Sequence, residues 1–203
     1  MCREIKDSEK KKLHIKTIRN HRKVVMKWCF KMGIGWRGLV HDLSKYSHTE
    51  LSIYKYYTGK YSPHDEARKV LGYSPSWYHH KTRNKHHWEY WVDSLEIKNA
   101  VKMPFKYVIE MFCDFIGAGQ VYNKDSWTPD MPIQYHLKTV DNRIYNPDTL
   151  YLFELLCCNL RDMGVDGFLK WYKSNKYNLK TAYNLSVIKE KFKYELYLIP
   201  KKD

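Results

Sequence analysis

Apolar residues and histidines recur near the start of the chain at steps of four, three, four and three positions. The run consists of His14, Ile18, His21, Val25 and Trp28. These positions share one face of a helix, because an α-helix repeats every 3.6 residues. The pattern therefore predicts an amphipathic helix over residues 8–32, which Gly33 and Gly35 end.

Further helices are predicted along the rest of the chain. Residues 103–122 are apolar on nearly every side, which is typical of a helix at the centre of a core. Helical patterns also cover residues 35–46 and 149–163. Capping-box spacing marks a helix start at Ser47 and Glu50, and a polar residue followed by proline marks one at Ser62, Ser74 and Asn146. The stretch from Tyr183 onward is compatible with a helix or a short strand.

These elements predict an all-α fold of about seven or eight helices. We expect a single helical domain over residues 1–203, because no linker or repeat divides the chain. Within it, residues 10–125 hold the candidate site described below, and residues 126–203 form a helical extension.

Charge and histidine content add chemistry to this helical picture. The 203 residues carry a formal net charge of +14 and include ten histidines. Such a charge favours an acidic partner, for example phosphate, nucleic acid or an anionic surface. No apolar run is long enough for a membrane span, and the first residues lack the apolar stretch of a secretory signal. The five cysteines have no CxxC spacing, so we expect reduced thiols and a cytoplasmic protein.

One histidine and two aspartates lie where the sequence predicts buried surface. His41 and Asp42 directly follow the apolar run Gly-Leu-Val, and Asp114 lies on the apolar helix over residues 103–122. A buried carboxylate is costly unless it is hydrogen-bonded, paired or bound to a metal. Together with His21 on the first helical face, these residues are candidates for one site.

The order His21, His41-Asp42 and Asp114 resembles the HD-domain superfamily of metal-dependent phosphohydrolases, whose helical members place H…HD…D around a divalent metal. The resemblance implies that these four residues bind a first ion. Mixed imidazole and carboxylate ligands suit Mn, Fe, Co, Ni or Zn. The segments HDLSKYSHTE and HHKTRNKHHWEYW are also similar to an uncharacterised family known only as a domain of unknown function. That similarity spans most of the chain and implies no activity.

Four clustered histidines extend the candidate site toward a second ion. They are His79, His80, His86 and His87. If residues 77–91 form one helix, His80, Asn84 and His87 share one face, and His79, Arg83 and His86 share another. By the HD resemblance, His80 and His87 are the predicted ligands of a second ion. The other pair stays open, because a break near Asn84 would change the helical phase.

Basic side chains near these candidates can bind phosphate. Lys45 resembles the lysine of HD-x-G-K motifs, which contacts substrate phosphate, although Ser44 replaces the glycine here. Arg83 is a candidate phosphate clamp, because its planar guanidinium suits bidentate contact, and Asn84 is a further candidate for substrate binding. The glutamate that activates water in one-metal HD nucleotidases is absent at this position. Glu50, Glu89 or a hydroxide that bridges the metals would have to replace it.

The resulting hypothesis is a metal-dependent phosphohydrolase in which metal-activated water attacks the phosphorus of a phosphate ester, with a nucleotide as the expected substrate. Lys45 and Arg83 would offset charge in the transition state. Some HD domains instead bind two irons and act as oxygenases, and they also carry HD-x-x-K. A third hypothesis is a non-catalytic nucleic-acid or nucleotide binder, since aromatic and basic residues alternate in several stretches. The metal, the substrate and the oligomeric state stay open.

Overall fold

The fold is all-α in the part of the chain that the structure, a computed structural model, describes: residues 6–58, 62–93 and 100–197. Those residues contain nine α-helices, and Val92 and Ala100 form an isolated β-bridge. The helices are α1 (Asp7–Lys31), α2 (Gly35–Val40), α3 (His48–Leu51), α4 (Pro63–Leu71), α5 (Pro75–Lys81), α6 (Phe105–Asn123), α7 (Met131–Leu137), α8 (Pro147–Asn184) and α9 (Ile188–Lys191). The fold class is as predicted. The count exceeds the prediction because no helix was predicted at α7, whose seven residues are too few for a clear periodic pattern.

Local capping explains where several helices begin. The side chains of Ser62, Ser74 and Asn146 each accept a hydrogen bond from a backbone N–H in the first turn that follows, at 3.3, 3.2 and 3.0 Å. Proline comes next in all three cases, where its missing N–H costs nothing. Ser47 likewise accepts from the N–H of Glu50 at 3.3 Å. These four predicted starts are confirmed.

Helix α6 lies at the centre of the core and packs against both α1 and α8. Its residues Ile109, Phe112 and Ile116 are fully buried. Helices α1 and α6 approach closely at Gly117, where an added Cβ would collide with the side chain of Val25. The glycine therefore permits close helix packing. The close approach also brings the middle of α1 next to the turn of α6 that carries Asp114.

Three predicted helices differ in extent. The helix expected over residues 35–46 breaks at His41 and Asp42 and resumes as a 3-10 turn over Leu43–Tyr46, because Asp42 adopts a left-handed conformation with φ 54°. The helix considered over residues 77–91 is wrong: α5 ends at Lys81, and a 3-10 turn follows at Trp88–Trp91. Helix α8 continues past Gly164, which has φ 65° and marks a kink rather than an end.

Two smaller expectations concern membranes and thiols. No helix in the described ranges is long and apolar enough to cross a membrane. Four cysteines, Cys29, Cys113, Cys157 and Cys158, are buried and free, and Cys2 lies outside the described residues.

Candidate metal centre

The four residues of the H…HD…D pattern converge at one point. His21 comes from α1, His41 and Asp42 from the turn after α2, and Asp114 from α6. The Nε2 atom of His21 lies 2.8 Å from Oδ1 of Asp114, and Nε2 of His41 lies 3.4 Å from both that atom and Oδ2 of Asp42. Their ligand atoms all lie within 4.8 Å of one another. We call these four residues the first ligand group.

A second ligand group lies beside the first and shares one residue with it. It consists of Asp42, His80, His86 and His87, whose ligand atoms again lie within 4.8 Å of one another. The Nε2 atoms of His80 and His86 lie 3.2 and 3.4 Å from Oδ1 of Asp42. Asp42 therefore presents Oδ2 to the first group and Oδ1 to the second.

The backbone around Asp42 is held in an uncommon conformation. Its φ of 54° is left-handed, a region that aspartate and asparagine tolerate better than most residues. Arg22 of α1 donates hydrogen bonds to the carbonyl oxygens of His41 and Leu39, at 2.8 and 2.9 Å. These bonds tie the turn to α1 and keep the fully buried Asp42 carboxylate between the two histidine sets.

The donor atoms of both groups are buried, and most of them lack hydrogen-bond partners among the described residues. The atoms without a partner among the described residues are Nε2 of His41, His80, His86 and His87 and Oδ1 of Asp42. Nε2 of His21 lies 2.8 Å from Oδ1 of Asp114, and Oδ2 of Asp42 lies 2.6 Å from Nζ of Lys45. Buried polar atoms normally have a partner, and each exception calls for an explanation. Four donor atoms within 4.8 Å of one another can surround one cation, so the residues present fit an ion in each group.

Two buried glutamates orient the histidines from behind. Glu110, fully buried on α6, accepts a hydrogen bond from Nδ1 of His41 at 3.0 Å and one from Nε of Arg37 at 2.7 Å. Glu50 accepts from Nδ1 of His80 and Nδ1 of His79, both at 2.7 Å. A histidine that donates through Nδ1 directs the lone pair of Nε2 forward, which is the usual arrangement of a metal ligand.

Charge in the centre is balanced between carboxylates and cations. Burial raises the pKa of Asp42, but the nearby charges of His41 and Lys45 outweigh it and hold this pKa well below its ordinary value. Burial likewise raises the pKa of Asp114, which the imidazoles of His21 and His41 lower overall. For His41 burial lowers the pKa, yet the surrounding carboxylates raise it to about 10, so an ion at Nε2 would have to displace a proton. Both aspartates are therefore anionic and attract cations.

Lys45 lies at the solvent side of the centre. Its Nζ is 2.6 Å from Oδ2 of Asp42, and the side chain is 26 % exposed. Asn84 lies behind His80 and donates to Oγ of Ser44 at 2.8 Å and to the carbonyl oxygen of His80 at 2.9 Å. Arg83 is exposed and donates to the carbonyl oxygen of His79 at 3.4 Å, away from the ligand atoms.

Sequence reasoning preferred His80 and His87 and left the pair His79 and His86 open, whereas the second ligand group contains His80, His86 and His87. Helix α5 ends at Lys81, so His86 and His87 reach the centre from the loop that follows it. Sequence reasoning did not single out Glu110. Glu110 lies one helical turn before Asp114 on an apolar helix. That spacing is a signal that could have marked it.

Single substitutions distinguish the clustered histidines that belong to a ligand group from the one that does not. We expect His86→Ala to lower the metal content by one ion per chain, because a ligand of the second group is lost. His79→Ala should keep both ions, because His79 contributes no atom to either group. Elemental analysis of the purified variants measures this, with exposed His48→Ala as a surface control. Loss of an ion in the His79 variant alone would reverse the assignment.

Comparison with protein families covers most of the chain and every candidate ligand. A family model described as a family of unknown function (DUF5662) matches residues 10–157. The chain belongs to this family. Comparisons with curated proteins and with solved structures gave no match. Membership in DUF5662 implies no activity, so the function has to be argued from the site.

Proposed function

We propose that this DUF5662 protein is a metal-dependent phosphohydrolase with a two-ion centre. One observation carries the proposal: two groups of buried, largely unpartnered donor atoms share the carboxylate of Asp42. The H…HD…D order and the all-α fold support it further, because both resemble features of HD-domain phosphohydrolases.

The donor sets indicate which ions they would hold. The first group offers two imidazoles and two carboxylates, and the second offers three imidazoles and the shared carboxylate. Imidazole-rich sets suit Mn, Fe, Co, Ni or Zn better than Mg. When bound, such ions polarise a phosphoryl oxygen and lower the pKa of water.

The chain's own residues supply substrate binding and orientation. Lys45 is a cation at the solvent side of the centre, where it can contact a phosphate oxygen of the substrate. Glu50 and Glu110 hold His80 and His41 in place through the hydrogen bonds described above. Asn84 and Arg83 remain predicted substrate contacts. Asn84 is the nearer of the two to the ligand groups, and Arg83 would have to turn inward from its exposed position.

The test is reconstitution of apoprotein with single metals. The substrates are nitrophenyl phosphate, bis(nitrophenyl) phosphate and nucleotides. We expect release of nitrophenol or phosphate in the presence of Mn²⁺, Co²⁺, Fe²⁺, Ni²⁺ or Zn²⁺. No release is expected after chelation. Elemental analysis of the same samples relates turnover to bound metal. Turnover that survives complete removal of metal would contradict the proposal, as would a protein that binds none of these ions.

A di-iron oxygenase is the second candidate, because five imidazoles among the donors suit iron as readily as manganese. The same preparation loaded with iron separates the two functions. Oxygen consumption without phosphate release would favour the oxygenase, whereas phosphate release with Mn²⁺ or Co²⁺ would favour the hydrolase.

A further inference from the structure

Four basic side chains form a stripe on the outer face of α1, opposite the buried face that carries His21. They are Lys12, Lys16, Arg19 and Lys23. At 1.5 Å rise per residue the stripe is roughly 16 Å long. All four side chains are exposed, and within the described ranges none forms an ion pair with an acidic residue. We refer to them as the α1 stripe.

The α1 stripe adjoins a depression between α1 and α2. Arg19 and Lys23 line this depression together with Arg22, Met26, Gly38 and Tyr46, and its volume is about 150 Å³. The guanidinium carbon of Arg22 lies 5.4 Å from the ring centroid of Tyr46. On the same short helix α2, the Trp36 side chain is 74 % exposed. The α1 stripe therefore adjoins a half-buried tyrosine with a guanidinium over its ring, and the neighbouring helix α2 carries an exposed tryptophan.

We propose that the α1 stripe and this depression bind single-stranded nucleic acid. A cationic track beside accessible aromatic rings is the arrangement that binds a phosphate backbone while unpaired bases stack. An anionic membrane fits less well, because a helix that lies on a membrane needs a free apolar face, and the apolar face of α1 is buried in the core through Ile18, Val25 and Trp28. The surface contributes no ligand atom to the metal centre, although Arg22 lies in the depression and also donates to the carbonyl oxygen of His41.

Fluorescence anisotropy with labelled oligo(dT) of about 20 nucleotides tests the electrostatic part. Each phosphate neutralised on a single strand contributes about −0.7 to the slope of log K against log salt. Four cations give a slope of about −3, so binding weakens about 50-fold between roughly 50 and 200 mM salt. A triple variant that combines Lys12→Glu, Lys16→Glu and Lys23→Glu should bind oligo(dT) more than about 100-fold more weakly at low salt. Its slope of log K against log salt should fall to about −1.

A matched variant controls for net charge. A triple variant with Lys170→Glu, Lys173→Glu and Lys180→Glu changes the charge equally on exposed positions of α8. At roughly 150 mM salt, where the Debye length is about 8 Å, it should leave binding within about twofold, and the stripe variant compared at the same salt should not. Circular dichroism verifies the fold of both variants, and gels verify that the oligonucleotide is intact. Equal loss of affinity in the two variants would overturn the proposal.

A second substitution tests base stacking. Trp36→Ala should weaken oligo(dT) binding about tenfold with little change in salt slope, because its exposed ring is free to stack on a base. It should not weaken binding of heparin, a polyanion without bases. Duplex DNA should bind less tightly than the single strand. Tighter binding to duplex DNA, or binding of anionic vesicles through the α1 stripe without binding of oligo(dT), would refute a single-strand site.

Discussion

Asp42→Asn is expected to remove both metal ions from the protein and to abolish metal-dependent phosphate release, while the helical fold is retained. Asp42 is the one residue that belongs to both four-residue ligand groups. Its two oxygens lie 3.4 Å from Nε2 of His41 and 3.2 Å from Nε2 of His80. An amide cannot offer two anionic oxygens to two cations, so each group loses its shared negative ligand.

Asparagine is the informative substitution because it tolerates the left-handed backbone at this position, where φ is 54°. Alanine would add backbone strain of about 1–2 kcal/mol at this position. In an alanine variant, a local fold defect could not be distinguished from the loss of a ligand. Elemental analysis and phosphate release are measured beside far-UV circular dichroism. Asp166→Asn on the exposed side of α8 is the matched control and should keep both ions. Two ions retained in the Asp42 variant would exclude a shared ligand.

Periodicity indicated that two members of the first ligand group are buried, and the resemblance to HD domains joined them to His41 and Asp42 as one set. His21 lies on a regular apolar face of α1, and Asp114 lies on a helix with few polar positions, so both have to be buried. What the periodicity could not predict is the distance between α1 and α6. That distance depends on Gly117 fitting against Val25, which is a tertiary contact between residues far apart in the sequence.

The second ligand group was harder to predict because it depends on a loop. A continuous helix would have placed His80 and His87 on one face and His79 and His86 on another. The chain instead leaves α5 after Lys81, and His86 and His87 both reach Asp42. No propensity distinguishes these outcomes, since the turn is stabilised by contacts such as that of Asn84 with Ser44 across 40 positions.

Glu110 lies beside the Nδ1 atoms of one histidine from each ligand group, although sequence reasoning did not single it out. Its Oε1 atom accepts from Nδ1 of His41 and lies 3.3 Å from Nδ1 of His86, so one carboxylate contacts a histidine from each group. Its other oxygen accepts from Arg37, whose guanidinium also lies 4.9 Å from the ring centroid of Tyr107. Arg37 therefore anchors Glu110 to the rim of the core, and Glu110 positions both histidines.

Glu110→Gln is expected to lower the free energy of unfolding of the apoprotein by about 3 kcal/mol, because it removes the buried anion that pairs with half-buried Arg37 and accepts from Nδ1 of His41. For a chain of this size the melting temperature should fall by roughly 10 °C. Metal affinity should fall about 10- to 100-fold, since outer carboxylates hold ligating histidines in orientation. Thermal unfolding with and without metal separates the two effects.

The matched control for Glu110 is Glu66→Gln on α4. Glu66 forms an ion pair with Lys69 at 2.8 Å on the protein surface, and such pairs contribute less than about 1 kcal/mol. The same chemical change should therefore have little effect there on either stability or metal content. If Glu110→Gln also left stability and metal content unchanged, the packing around His41 and His86 would be sufficient to orient them. Asp42 would then be the connection between the two ligand groups, and Glu110 would not contribute to it. A loss of stability with unchanged metal affinity would instead make Glu110 a purely structural partner of Arg37.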